Sequence, residues 1–158
     1  MANENEGKKK GKVVLASGVF DLLHLGHVRF LEEAKKAGGV NARLVVVVAR
    51  DATAEEKKGK KPVMPEYQRC ALVASLKVVD QAMLGYEDFD MGKVLEKIRP
   101  DVVAVGHDSR TSGLEQAVRK LVKEKGLKIR VAKIGKFSSD ELDSSSKIKQ
   151  RIVEQLKR

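Results

Sequence analysis

The sequence predicts an α/β fold: a doubly wound parallel five-stranded sheet with helices on both faces. Two observations predict it. Short apolar runs rich in valine recur along the chain, without the in–out alternation of a half-exposed strand. Between them lie segments whose apolar residues fall at helical spacing, so strand and helix alternate from Val13 to Leu156.

Val13-Val14-Leu15-Ala16 ends at Ser17-Gly18 and reads as a buried first strand. From Gly26 to Ala37 the apolar residues Phe30, Leu31, Ala34 and Ala37 share one helical face, and Gly38-Gly39 ends that helix. Leu44 to Ala49 is a continuous apolar run, as expected of a strand covered on both faces. Pro65 opens a second helix at a tolerated first-turn position, with Cys70, Leu72, Val73 and Leu76 on its face. Ala82-Met83-Leu84 is a brief strand. Met91 to Ile98 is a helix broken by Arg99-Pro100-Asp101, and Val102 to Val105 is a buried strand ending at Gly106. Leu114 to Lys125 is a helix stopped by Gly126, Lys128 to Ile134 a last strand, and Ser144-Ser145-Ser146 caps a final helix through Leu156. The pattern is Rossmann-like, and ligands in such folds sit at the carboxyl ends of the strands.

With 158 residues, 42% of them apolar, the chain fits one domain over 13–158. Residues 1–12 are polar and carry a net +2, and read as a disordered basic tail. No apolar run approaches a membrane span and no segment has signal-peptide character. The single cysteine, Cys70, excludes an internal disulfide and points to a reducing, cytoplasmic setting. On the helical face of Pro65 onward it is most simply packing. The formal charge of +10 suits an anionic partner, although lysines of this kind are also ordinary solvated charge. Two Tyr, four Phe and no Trp make a poor stacking platform, so nucleic acid is not the expected partner.

The chemistry concentrates in His24-Leu25-Gly26-His27. Two of the three histidines of the chain stand here, three residues apart, where a strand-to-helix turn opens a helix. That spacing brings both imidazoles to one side of the helix start. Unpaired amides and the positive end of the helix dipole favour an anion there. Gly26 is expected to let backbone approach a phosphate closely. The imidazoles then donate to phosphate oxygens as charge builds in a transition state. Two plainer readings compete: a helix-start pair without chemistry, or a metal pair. The second lacks further ligands at fitting spacing, so no protein metal site is expected.

The stretch Ser17 to His27 resembles the signature of the HxGH nucleotidyltransferase superfamily, which includes cytidylyltransferases and adenylyltransferases. Val48-Ala49-Arg50-Asp51, Lys57-Lys58-Gly59-Lys60-Lys61-Pro62, Glu66-Tyr67-Gln68-Arg69 and Leu84-Gly85 resemble a narrower group, the archaeal-type FAD synthases. The similarity runs from about Val13 to Val153. It implies that His24 and His27 bind a triphosphate and stabilise the transition state, with Leu25 and Gly26 between them. It also implies that backbone at Val19 and Phe20 lines the nucleotide. Val19 stands where that family usually has Thr, which removes one hydroxyl. Asp21 is expected to brace the turn.

Lys60, in a glycine-containing segment, would close over the triphosphate or remain a solvated charge. Arg69 is a candidate phosphate partner, or else a surface arginine. Gly106-His107-Asp108 resembles a Gly-x-Asp turn that contacts the nucleoside, which puts Asp108 on ribose or base, and Phe137 would wall the base or simply pack. Ser145 and Ser146 resemble a Ser/Thr-rich motif that holds the terminal phosphates, or serve as caps.

The reaction so implied joins ATP and FMN to give FAD and pyrophosphate, with Mg²⁺ or another divalent cation travelling with ATP. The resemblance also suggests a homodimer. Two alternatives stand beside it. One is a CTP-dependent cytidylyltransferase for a small phosphorylated alcohol such as glycerol 3-phosphate. The other is a non-catalytic nucleotide or nucleic-acid binder.

Overall fold

The computed structural model describes residues 10–107, 109–135 and 141–158. The strands are β1 (Val13–Gly18), β2 (Arg43–Val48), β3 (Gln81–Leu84), β4 (Val102–Val105) and β5 (Arg130–Lys133). The helices are α1 (Leu25–Ala37), α2 (Asp51–Lys58), α3 (Glu66–Ala74), α4 (Met91–Ile98), α5 (Ser109–Lys125) and α6 (Ser145–Leu156). The five strands form one parallel sheet in the order β3-β2-β1-β4-β5, the expected α/β architecture.

The valine-rich runs form central strands because both of their faces are covered. Val14 and Ala16 of β1, Leu44, Val46 and Val48 of β2, and Val102 and Ala104 of β4 pack beneath α1 and α3. The alternate residues Leu15, Val47, Val103 and Val105 meet Met91, Val94 and Leu95 of α4 and Val118 of α5. Each of the valine, leucine and methionine side chains contributes about 1.5–3 kcal/mol on leaving water.

The structure departs from the sequence expectation at several elements; β5, for one, spans Arg130–Lys133 rather than Lys128 to Ile134. Residues 51–58, which lack an apolar stripe, form α2; Gly59 closes it in the left-handed conformation, φ 69°. Only two of its residues, Thr53 and Ala54, are buried, too few for periodicity to register. Helix α5 starts at Ser109 rather than Leu114. The folded body also reaches back to Gly11. Lys12 O accepts from Arg43 N at 2.9 Å, and a Cβ on Gly11 would collide with the Asn41 carbonyl.

The order of the strands reverses between β1 and β4. Connections leave β1 toward β2 and β3 on one side, and the chain then returns to β4 on the other. The turns after β1 and β4 therefore diverge and leave a crevice at the carboxyl edge.

Candidate active site

The turn from β1 into α1 is held in an uncommon shape. Phe20 and Leu22 both have left-handed backbone, φ 53° and 50°. For residues with a Cβ this costs about 1–2 kcal/mol each. Tertiary contacts offset it. The Phe20 ring is buried and packs at 5.4 Å from the His27 ring. Gly18 leaves the ring its space, since a Cβ there would stand 3.0 Å from it.

His24 is the N-cap residue of α1 and His27 lies three residues into it. Their rings stack with centroids 3.7 Å apart and planes 23° from parallel. His24 N donates to Nδ1 of His27 at 3.3 Å. An accepting Nδ1 fixes the neutral tautomer, with the ring proton on Nε2. Burial pushes the His27 pKa down to about 3, helped by His24 and by the ammonium of Lys58 and opposed by Asp21. Burial lowers that of His24 as well, against an opposing Asp143. Both rings are therefore neutral hydrogen-bond donors near pH 7. Nδ1 of His24 is buried with no partner.

Gly26 has a packing role beside the expected one. A Cβ there would come within 2.7 Å of the Asp143 carbonyl oxygen and 3.0 Å of the His24 ring. Its small size seats the segment before α6 against the start of α1, whatever approach it offers a phosphate. The contact is repeated next door, where Ser145 Oγ donates to Asp21 O at 2.5 Å. Ser144 caps α6 by accepting from Lys147 N at 3.2 Å. The α6 N-terminus is thus moored to the histidine turn, with Ser146 exposed beside it.

The Asp21 carboxylate accepts from Val63 N at 2.8 Å and Met64 N at 3.0 Å. It braces the turn, and it ties down the far end of the Lys60 segment. That segment is consequently a short span between Gly59 and Val63, and Lys60 stands on it exposed. The lysine that acts electrostatically on His27 is Lys58, in the last turn of α2.

Arg69 corrects the sequence reading most. It is neither at the surface nor turned to a ligand crevice, being 0% exposed. Its Nε donates to Met64 O at 2.9 Å, one terminal nitrogen to Val19 O at 2.6 Å and the other to Asp51 Oδ1 at 2.7 Å. Asp51 N in turn donates to Glu66 Oε2 at 2.7 Å, and Arg50 bridges Glu66 Oε1 at 3.2 Å and Gly85 O at 2.8 Å. The network clamps the ends of β1, β2 and β3 to α3. Asp51 and Glu66, which the sequence offered only as parts of two motifs, are its acidic members. Their partnership spans fifteen residues of sequence, so no local pattern could disclose it.

The structure brings Val19, Phe20, His24, Leu25, Gly26, His27 and Ser145 together at the carboxyl edge of β1. Asp108 and Phe137 lie outside the described residues. Among the described residues no group of three or more His, Cys, Asp and Glu is placed to hold a metal ion. Nor is any helix there long and apolar enough to cross a membrane.

Stacked neutral imidazoles at a helix start, beside the switch point of a parallel sheet, are suited to phosphate transfer. The chain belongs to the cytidylyltransferase-like family, whose model matches residues 15–151. Its relatives narrow the class. It is similar to the FAD synthase of Methanopyrus kandleri, 46% identical over 149 residues, 94% of this chain and 96% of that protein. The FAD synthase of Ferroglobus placidus is 48% identical over 142 residues, 90% of this chain and 88% of that one. Among crystal structures, the lipopolysaccharide core biosynthesis protein of Thermoplasma volcanium is 42% identical with a TM-score of 0.68, over 81% of this chain and 99% of that chain. A pantothenate synthetase from Thermus thermophilus, at 16% identity and TM-score 0.57 over 87% of this chain and 61% of that one, shares the fold alone.

Proposed function

We propose that this chain transfers the adenylyl group of ATP to the phosphate of FMN, giving FAD and pyrophosphate. The observation that carries the reading is the stacked histidine pair, both rings neutral near pH 7 and His27 fixed in tautomer, in a chain 45% identical to the FAD synthase of Methanobrevibacter smithii over 89% of its length.

A phosphate oxygen of FMN attacks the α-phosphorus of ATP, and the bond from that phosphorus to the β-bridging oxygen breaks as pyrophosphate leaves. The acceptor is already ionised near pH 7, so no general base is required. The task of the protein is alignment and charge stabilisation. Nε2–H of His27 and the imidazole of His24 donate to oxygens on which charge grows. Neutral rings in a partly desolvated site lose little solvation on doing so. Lys58 adds positive charge beside them, and Lys60 reaches the leaving pyrophosphate from its tethered span. The α6 start, with Ser145 and Ser146, offers amides to the terminal phosphates. Val19 and Phe20 line the nucleotide, and Asp108 and Phe137 contact the nucleoside. Arg69 takes a supporting part, holding Val19 in place.

Among the described residues no cluster of His, Cys, Asp and Glu offers the divalent cation expected with ATP a cage, and the Asp21 carboxylate accepts from Val63 and Met64. Mg²⁺ would be held by phosphate and water oxygens and would neutralise the triphosphate. A cytoplasmic location, where ATP and a reduced Cys70 coexist, belongs to the same reading.

The test supplies the purified chain with FMN or glycerol 3-phosphate and with ATP or CTP. FAD and pyrophosphate are expected from ATP with FMN. Turnover with CTP and glycerol 3-phosphate alone overturns the assignment.

A further inference from the structure

The last turn of α2 carries two adjacent lysines that serve different places. Lys58 faces the reaction centre through its effect on His27. Lys57 leaves the same turn in another direction, and its Nζ lies 4.0 Å from the centroid of the Phe89 ring. Successive residues on a helix are separated by about 1.5 Å along the axis, so the two lysines mark neighbouring parts of one edge.

Phe89 lies in the loop between β3 and α4, three residues after Tyr86. Both rings are surface-exposed in a chain with only six aromatic residues, Phe89 at 42% and Tyr86 at 37%. Lys93 and Lys97, one turn apart on α4, each place Nζ 5.9 Å from the Tyr86 centroid. The loop is fixed at both ends. Gly85 O accepts from Arg50 at 2.8 Å, and Asp90 caps α4 by accepting from Lys93 N at 3.2 Å.

Lys57 covers one face of Phe89, and Lys93 and Lys97 stand over Tyr86 at longer range, so two exposed rings with ammonium groups beside them suit a flat, electron-poor heterocycle with carbonyl oxygens on its edge. Glu87 and Asp88 stand exposed in the same loop and offset much of the charge of the three ammonium groups, which suits an uncharged ring better than a phosphate. Phosphate therefore belongs at the histidines and the ring at this loop. We infer that Tyr86 and Phe89, with Lys57, Lys93 and Lys97, form the subsite that takes the isoalloxazine ring of the acceptor. This inference rests on the FMN reading above. It puts acceptor specificity on β3, at the edge of the sheet away from Gly106 and the nucleoside side.

The experiment measures FAD formation by the full chain with ATP and Mg²⁺ while FMN is varied. Phe89→Ala and Tyr86→Ala each raise KM for FMN roughly tenfold, while KM for ATP moves by less than about twofold. Phe89→Tyr restores most of the loss. An unchanged KM for FMN in both alanine variants, or an equal rise for both substrates, overturns the inference. A binding readout stands apart from turnover. The chain contains no Trp, so Tyr86→Trp introduces a single indole. FMN is expected to quench its emission and ATP to leave it unchanged. Absence of quenching by FMN sinks the subsite. If the unmodified chain makes no FAD, the proposed reaction fails, and the indole titration still decides where a flavin ring binds.

Discussion

Arg69 and the histidine pair lie within a few residues of the same strand end, yet their hydrogen bonding is opposite in kind. Every nitrogen of Arg69 that faces the protein is satisfied: Met64, Val19 and Asp51 accept from it. The imidazoles are left open. His24 Nδ1 is buried without a partner, and the bond that His27 accepts orients the ring and leaves Nε2–H available. A closed set of bonds in a buried cation makes a brace, since any ligand would first have to displace protein acceptors. An imidazole with a nitrogen not committed to a protein partner can still serve a ligand. Residue type alone ranks Arg69 as the better phosphate partner; bond closure reverses the order.

Three measurements break or sharpen this contrast. Arg69→Met should have the largest effect. It leaves the Val19 and Met64 carbonyls and the Asp51 carboxylate without their donor, so urea unfolding should show a loss of about 3–5 kcal/mol. An Arg69→Met chain of unchanged stability but weakened ATP affinity would return Arg69 to the ligand. His27→Asn makes the complementary cut. The Asn oxygen takes over the acceptor position of Nδ1, while the Nε2–H donor is lost. Thermal melting should stay near that of the unmodified chain, and kcat should fall by about 10²–10³-fold. A melting point that collapses together with activity would mean that the imidazole is a structural cap.

The smallest effect is on pH dependence. Between pH 6.5 and about 3 an unfolded His27 holds a proton that the folded one does not. The unfolded state then binds more protons, so stability rises with pH across that window and is lost as pH falls through it. Urea midpoints taken from pH 7 down to pH 5 should drop more steeply for the unmodified chain than for His27→Asn, by up to about 1.4 kcal/mol per pH unit. Parallel curves would show that the ring is not desolvated as described.

Much of the architecture was legible because its signals are local. A strand covered on both faces must be apolar along its covered length, and β1, β2 and β4 are, apart from Ser17-Gly18 at the end of β1 and Arg43 at the start of β2. Helix α6 begins where Ser144 can cap it, and α4 where Asp90 can. The short, polar α2 was missed because it buries little, so no stripe distinguishes it from a loop. The histidine pair was legible for a similar reason: spacing, glycine and turn all lie within four residues.

By itself, then, the sequence determined the alternation of strands and helices and the two imidazoles at the first strand-to-helix turn; the strand order that sets the switch crevice beside them came with the assembled sheet. Folding decided what no local pattern could. It turned Arg69 and Asp21 inward to brace the turn, and it set Gly26 against Asp143. It made Lys58 the lysine that acts on His27, and it brought Lys57 over Phe89. The physical reason is range. Periodicity and capping act over a few residues of chain, whereas bond closure and burial depend on partners dozens of residues away, and those partners exist only once the sheet has assembled.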